Sequence, residues 1–328
     1  MSSVTRVPET SRMLADELDA SDARTTLRSF GGRRLAVESF RRFRYGDGFS
    51  HSRAVGFQLV LALIPLTIAV VGLSSVVQAD RIATVIRETL LSITPGSSDS
   101  VVGETLQQGL TQAHVGPIAL WLGLATSLVA LTATMGQVER GANRIYGVQR
   151  DRPALVKYRR ALVMALVAGV PLVLGFLAIV AGGHAIGVLA EVYHWPDGLA
   201  DVARLLRWPV SLLLALTAIT VIFRWGPRRR QPAHSWMAVG AGLALVLWLV
   251  MTGLLAVFVA TSGSFGAVYG PLTAFMALLL WAQLSGVALL LGLAFAAQLE
   301  AARAGVHHGA TEDPELHPGA PAEQGTSG

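Results

Sequence analysis

Six long apolar runs constrain this chain more than anything else in it. They fall at about 54–77, 116–135, 161–183, 207–223, 237–260 and 270–297, and none carries an acid or a base within its core. A helix rises about 1.5 Å per residue, so roughly 20 apolar residues cross a hydrocarbon layer about 30 Å thick. In that layer every backbone N–H and C=O must be paired within the protein, which makes such runs helices. The alternation that a transmembrane β-barrel needs is absent. The predicted fold is an all-α polytopic membrane protein, a six-transmembrane-helix bundle. Its membrane domain covers 54–303, with segment 1–53 before it and tail 304–328 after it. Composition agrees: 14% of residues are charged, against about 25% in soluble domains. The chain has no cysteine, so disulfides, thiolate metal sites and cysteine nucleophiles are excluded. Residues 1–50 lack the apolar core of a signal peptide, so the first run is expected to remain as an anchor.

Charge then orients the bundle. Segments 1–53, 136–160 and 224–236, with Arg303 just before the tail, hold 22 of the 26 basic residues, and the remaining 4 fall in or beside the intervening loops. Basic loops stay in the cytoplasm, so both termini are expected there. The stretch GQVERGANRIYGVQRDRP at 136–153 reads first as the cytoplasmic exit of helix two. Arg140, Asn143 and Arg144, with Arg228, Arg229 and Arg230 of the next basic loop, are candidates for fixing topology and meeting anionic lipid headgroups. Each cation near the surface contributes about 1 kcal/mol. Nucleic acid is not an expected partner, because these arginines abut the membrane and no aromatic platform or binding module accompanies them.

Smaller features carry further expectations. Residues 33–53 place Leu35, Val37, Phe40 and Phe43 among arginines, as an interfacial amphipathic helix would. Residues 1–30 and the tail 305–328 read as poorly ordered polar segments. The 78–115 loop suggests an external helical hairpin around DRIATVIRETLLSI. Pro65 and Pro171 lie inside helices one and three, where each removes a backbone donor and bends the helix. Gln58, Pro65 and Gln283 are candidates for lining a path; polar groups in this setting more often bond across helices. Ala288, Gly292 and Ala296, and Gly183 and Gly187, form small-residue stripes suited to close helix packing. Trp121, Trp195, Trp208, Trp225, Trp236, Tyr146 and Tyr269 fit an interfacial aromatic belt. Trp248 and Trp281 fall near mid-membrane, either packing together or facing a cavity. No Walker motif, zinc-ligand spacing or nucleophile elbow occurs, so no cofactor or metal is expected.

Three stretches together resemble the YihY/BrkB family of bacterial inner-membrane proteins. They are DGFSHSRAVGFQLVLALIPL, then GANRIYGVQRDRP, then YGPLTAFMALLLWAQLSGVALLLGLAF, and the likeness runs over roughly 34–303. The family's Gly-Ala-Glu-x-Asn-Ala ending of helix six is GLAFAA here, with Ala294 and Ala296 at the acid and amide positions. The resemblance implies a role in envelope biology, such as lipopolysaccharide export or lipid transport. Some members have carried a ribonuclease BN label, yet no carboxylate or histidine cluster for phosphodiester hydrolysis is visible here, and no enzyme is expected. The expected function is moving a lipid or envelope precursor, or assisting its movement. The alternative is a non-transporting scaffold for envelope-assembly proteins or a homo-oligomer. Membrane lipids are the expected partners.

Overall fold

The computed structural model describes residues 4–9, 18–77, 116–180, 182–261 and 273–310. The hairpin expected in 78–115 lies outside them. Ten α-helices are described: α1 (Ala20–Phe30), α2 (Gly32–Tyr45), α3 (Gly48–Val77), α4 (Gly116–Ile145), α5 (Ala154–Met164), α6 (Val170–Val180), α7 (Gly182–Val192), α8 (Asp197–Trp225), α9 (His234–Thr261) and α10 (Thr273–Arg303). A π-turn, Ala165–Gly169, joins α5 to α6. Six helical spans are long and apolar enough to cross a membrane, and no strand occurs among the described residues.

The helices run past the apolar runs, mostly at one end. α4 continues to Ile145 and α10 to Arg303, while α8 begins at Asp197. At 31 residues α10 is about 46 Å long, well beyond the roughly 30 Å hydrocarbon layer. The surplus turns of α3, α4, α9 and α10 share one end of the bundle with α1, α2 and the two basic loops. Most of the buried core lies here: Ile145, Met164, Phe223, Trp236, Met237, Leu290 and Leu299 are all enclosed. The membrane-level surfaces instead expose Ile64, Ile68, Val129, Leu213, Leu254 and Val257, as side chains facing lipid would be.

Neighbours close a circuit. α4 packs on α3, α3 on α10, α10 on α9, α9 on α8 and α8 on α6, and α5 with the π-turn returns to α4. Small residues set several crossings. A Cβ built on Gly292 would sit 2.5 Å from the Ala244 Cβ and 2.8 Å from the Gly240 carbonyl oxygen. The 288–296 stripe is therefore a seam where α9 and α10 touch backbone to backbone. The 183/187 stripe splits: Gly183 meets the Arg207 guanidinium, and nothing approaches Gly187 within 4 Å.

Pro65 and Pro171 are accommodated differently. Pro171 leaves the Val167 carbonyl without its helical donor, and the wider π-turn falls just before it. Pro65 does the same to the Leu61 carbonyl. Beside it, the Ser127 hydroxyl of α4 donates to the Ala62 carbonyl at 3.2 Å, and Gly123 lets the Pro65 carbonyl approach closely. Trp248 and Trp281 pack together, ring centroids 6.4 Å apart and near edge-on, with Phe176 5.5 Å from Trp281. The Trp248 indole N–H donates to the Ser285 hydroxyl at 3.0 Å, so its polar atom is satisfied inside the bundle.

The N-terminal segment is more ordered than its polarity suggests. Asp19 caps α1, accepting from the Ser21 and Asp22 amides at 2.7 and 3.2 Å, while the Asp22 carboxylate reaches back to the Asp19 amide. Ala23 and Thr26 then bury against the bundle. Residues 4–9 run extended beside 305–310: the Thr5 amide donates to the Gly309 carbonyl, and the His307 ring stacks on Phe30. The amphipathic segment forms α2, burying Leu35 and Phe43 and leaving Val37 and Phe40 outside.

Candidate functional site

The basic end of the bundle concentrates polar chemistry because helices long enough to leave the membrane carry their last turns into a protein core. Three buried clusters result. In the first, Glu139 of α4 is fully enclosed, and the Arg152 guanidinium lies 3.0 Å from its carboxylate. The contact is an ion pair rather than an aligned hydrogen bond. Arg152 spends its N–H groups on the Gly226 and Pro227 carbonyls at 3.0 and 2.9 Å, pinning the 224–233 loop to α4.

In the second, Glu300 of α10 holds Arg229 at 2.6 Å, with side chains 0% and 3% exposed. The same guanidinium lies 4.8 Å from the centre of the Tyr146 ring and donates to the Pro8 carbonyl. Burial, then the nearby Glu300 charge, pushes the Tyr146 hydroxyl above its usual range, so it stays a neutral phenol.

In the third, Arg42 of α2 is completely buried. Its Nε donates to the Gln298 amide oxygen at 2.9 Å, and its remaining N–H groups donate to Thr5 and to the Ile145 carbonyl. Burial lowers its pKa to about 10, which still leaves it cationic at neutral pH. One arginine thus ties the N-terminal segment, α2, α4 and α10 together.

Asn143 links the two basic loops. Its amide nitrogen donates to Asp151 at 2.8 Å and its oxygen accepts from the Arg228 backbone N–H at 2.7 Å. Lys157 and Arg140 close on Asp151 at 3.2 and 3.5 Å. Burial pushes the Asp151 carboxyl up, but the Asn143 and Lys157 hydrogen bonds and the two cations outweigh it and hold the group below its usual range.

The predicted rim residues therefore divide. Arg140, Arg144, Arg228 and Arg230 are exposed. Arg140 shares Asp151, and Arg228 donates to the Arg150 and Asp151 carbonyls. Asn143 and the Arg229 guanidinium are buried and engaged internally. Gln283 lines a cleft of about 300 Å³ between α3 and α10, together with Arg53, Gly56, Phe57, Met276, Leu279 and Leu280. Gln58 and Pro65 are half-buried and lie outside its lining. Among the described residues, no three His, Asp or Glu side chains gather as a metal site.

Sequence reasoning passed over Arg42, Glu139, Gln298 and Glu300, and read Arg152 as one of the arginines that fix topology. A signal for Glu300 existed. It continues the four-residue stripe of Ala288, Gly292 and Ala296, so the face that packs on α9 leads directly to a buried acid.

This arrangement of six spans with a closed, ion-paired basic end can be set beside known proteins. The family described as virulence factor BrkB matches residues 39–316, from α2 to the tail. The chain belongs to the BrkB family. BrkB-family likeness extends to curated relatives. The chain is 26% identical over 258 residues to YfkH of Bacillus subtilis, which bears a ribonuclease-like name, covering 78% of this chain and 91% of YfkH. It is 27% identical over 267 residues to the UPF0761 membrane protein azo3165 of Azoarcus, covering 78% of this chain and 62% of that one. It is 29% identical over 284 residues to a UPF0761 membrane protein of Stenotrophomonas maltophilia strain R551-3, covering 82% and 63%. The chain thus spans about three fifths of the length of these UPF0761 relatives. No solved structure matches it.

Proposed function

We propose that this BrkB-family protein sits in a bacterial inner membrane with both termini in the cytoplasm. There it moves a lipid or envelope precursor, or assists its movement, and is not an enzyme. The observation that carries the reading is the array of exposed cations at one end of a lipid-facing bundle: Arg140, Arg144 and Arg230, on a rim braced by Asn143, Arg228 and Arg229. An anionic headgroup arriving at this rim meets several cations at once, each contributing about 1 kcal/mol near the surface. In proteoliposomes, Arg140→Ala with Arg144→Ala is expected to slow transfer of an anionic lipid by about fivefold per cation removed. Unchanged transfer would remove both residues from the mechanism.

Orientation has its own test, made simple by the absence of native cysteine. Leu199→Cys, at the opposite end of the bundle, should react with a membrane-impermeant maleimide in spheroplasts. Gln149→Cys, on the basic end, should react only after permeabilisation. The reverse pattern would put the arginines outside and end the proposed topology.

A scaffold is the second reading, and one observation favours it. The bundle is filled at its basic end by a continuous core of Ile145, Met164, Phe223 and Leu290. A platform that only presents its rim to partner proteins needs such a plug, whereas a transporter must open it.

A further inference from the structure

The lipid-facing side of α3 carries a stripe at helical spacing: Phe49, Arg53, Phe57, Leu61, Ile64 and Ile68 are all exposed. Arg53 is the charge in this stripe, with an aromatic residue one turn to either side. Six cations at the basic end have a carboxylate within ion-pair reach: Arg41 has Glu38, Arg140 and Lys157 have Asp151, Arg152 has Glu139, Arg229 has Glu300 and Arg303 has Asp22. Arg53 has none among the described residues, and donates only to the Ser50 hydroxyl at 3.3 Å. A helical side chain leans toward the N-terminus of its helix. For α3 that is the basic end, so the guanidinium reaches toward the headgroup layer while its stem stays against lipid.

Below Arg53 the surface opens into the cleft of about 300 Å³ between α3 and α10. Its floor is rigid, because Gly56 and Gly286 let the two backbones touch: Cβ atoms built there would lie 2.9 Å from the Ala282 backbone and 2.6 Å from the Ser52 carbonyl oxygen. Its walls are Phe57, Met276, Leu279 and Leu280, with Phe57 57% exposed. The Gln283 amide also faces the cleft, and no described residue hydrogen-bonds it. A polar amide left open in a lipid-facing cleft calls for a ligand acceptor.

We propose that this seam holds one anionic glycerophospholipid drawn from the surrounding membrane. Its phosphate lies on Arg53, an ester carbonyl accepts from Gln283, and a stretch of one acyl chain fills the cleft. The remainder of the lipid lies in the bilayer, since the cleft is too small for a whole molecule. Charge complementarity selects an anionic headgroup over a zwitterionic one. The inference stands apart from the transport reading, because a resident lipid that seals the α3–α10 seam satisfies it equally.

The test is native mass spectrometry of the full chain, delipidated in mild detergent and re-equilibrated with equal amounts of phosphatidylglycerol and phosphatidylcholine. Wild type should retain one phosphatidylglycerol in preference. Arg53→Ala should lower that preference by about fivefold. Leu280→Trp, which fills the cleft without touching charge, should lose the same lipid. Arg204→Ala, an exposed cation paired with Asp201 elsewhere on the bundle, should behave as wild type. If Arg53→Ala does not yield monodisperse protein, Arg53→Gln takes its place. No headgroup preference in wild type would overturn the proposal. So would loss in only one of the Arg53 and Leu280 variants, or equal loss in Arg204→Ala.

Discussion

Glu300→Ala is expected to cost about 3–5 kcal/mol of folding stability, because it leaves a buried guanidinium without its counter-charge. Glu300 and Arg229 meet at 2.6 Å with almost no solvent contact. The loss reaches further than one pair. Glu300 also supports the buried Arg42, whose cationic form Arg229 disfavours and Glu300 favours. Without the carboxylate, two arginines face each other across a dry core, and the Tyr146 ring and the Pro8 carbonyl are poor substitutes. Arg229→Met with Glu300→Leu should recover most of the stability, since an apolar pair of similar volume removes the desolvation cost of both charges. Denaturant unfolding in mixed micelles measures both variants. A Glu300→Ala protein within about 1 kcal/mol of wild type would show that water reaches the pair, for that is the range of exposed pairs.

The second large effect falls on the α9–α10 seam. Gly292→Ala is expected to destabilise by about 1–3 kcal/mol or more, as overpacking does when its neighbours cannot move. The new methyl would meet the Gly240 carbonyl oxygen at 2.8 Å and the Ala244 Cα at 2.9 Å, both backbone. Gly242→Ala is the internal control. It lies two residues from Gly240 on the same helix, yet nothing approaches it within 4 Å. That substitution should be neutral or slightly stabilising, since alanine loses less backbone entropy than glycine. Thermal stability by size-exclusion in detergent separates the two. Equal behaviour would mean that α9 and α10 are not in backbone contact.

How much of this was legible in the sequence differs by feature. Pro171 announced a disturbance, but the choice of a π-turn over a simple bend depended on how α5 and α6 pack against α4 and α8. Trp248 and Trp281 were visibly in mid-membrane, but their mutual contact required α9 and α10 to be neighbours in register. GQVERGANRI looked like the start of a loop because its charges end the apolar run. It continues as helix, where Glu139 and Asn143 meet Arg152 and Asp151 of the loop that follows and Arg228 of a distant one.

The sequence by itself determined the six spans, for a physical reason that needs no partner: apolar side chains and self-paired backbones leave a helix as the only form stable in lipid. It also set the asymmetry of charge between the two ends. Only the tertiary structure decided which of those charges are spent inside. Ion pairing depends on atoms a few ångströms apart, and Arg229 reaches Glu300 across 71 residues of chain while Arg42 reaches Gln298 across 256. No local pattern encodes such a meeting. The bundle's circuit of neighbours does, and it separates arginines that hold the fold from those, such as Arg144 and Arg53, left facing the membrane surface.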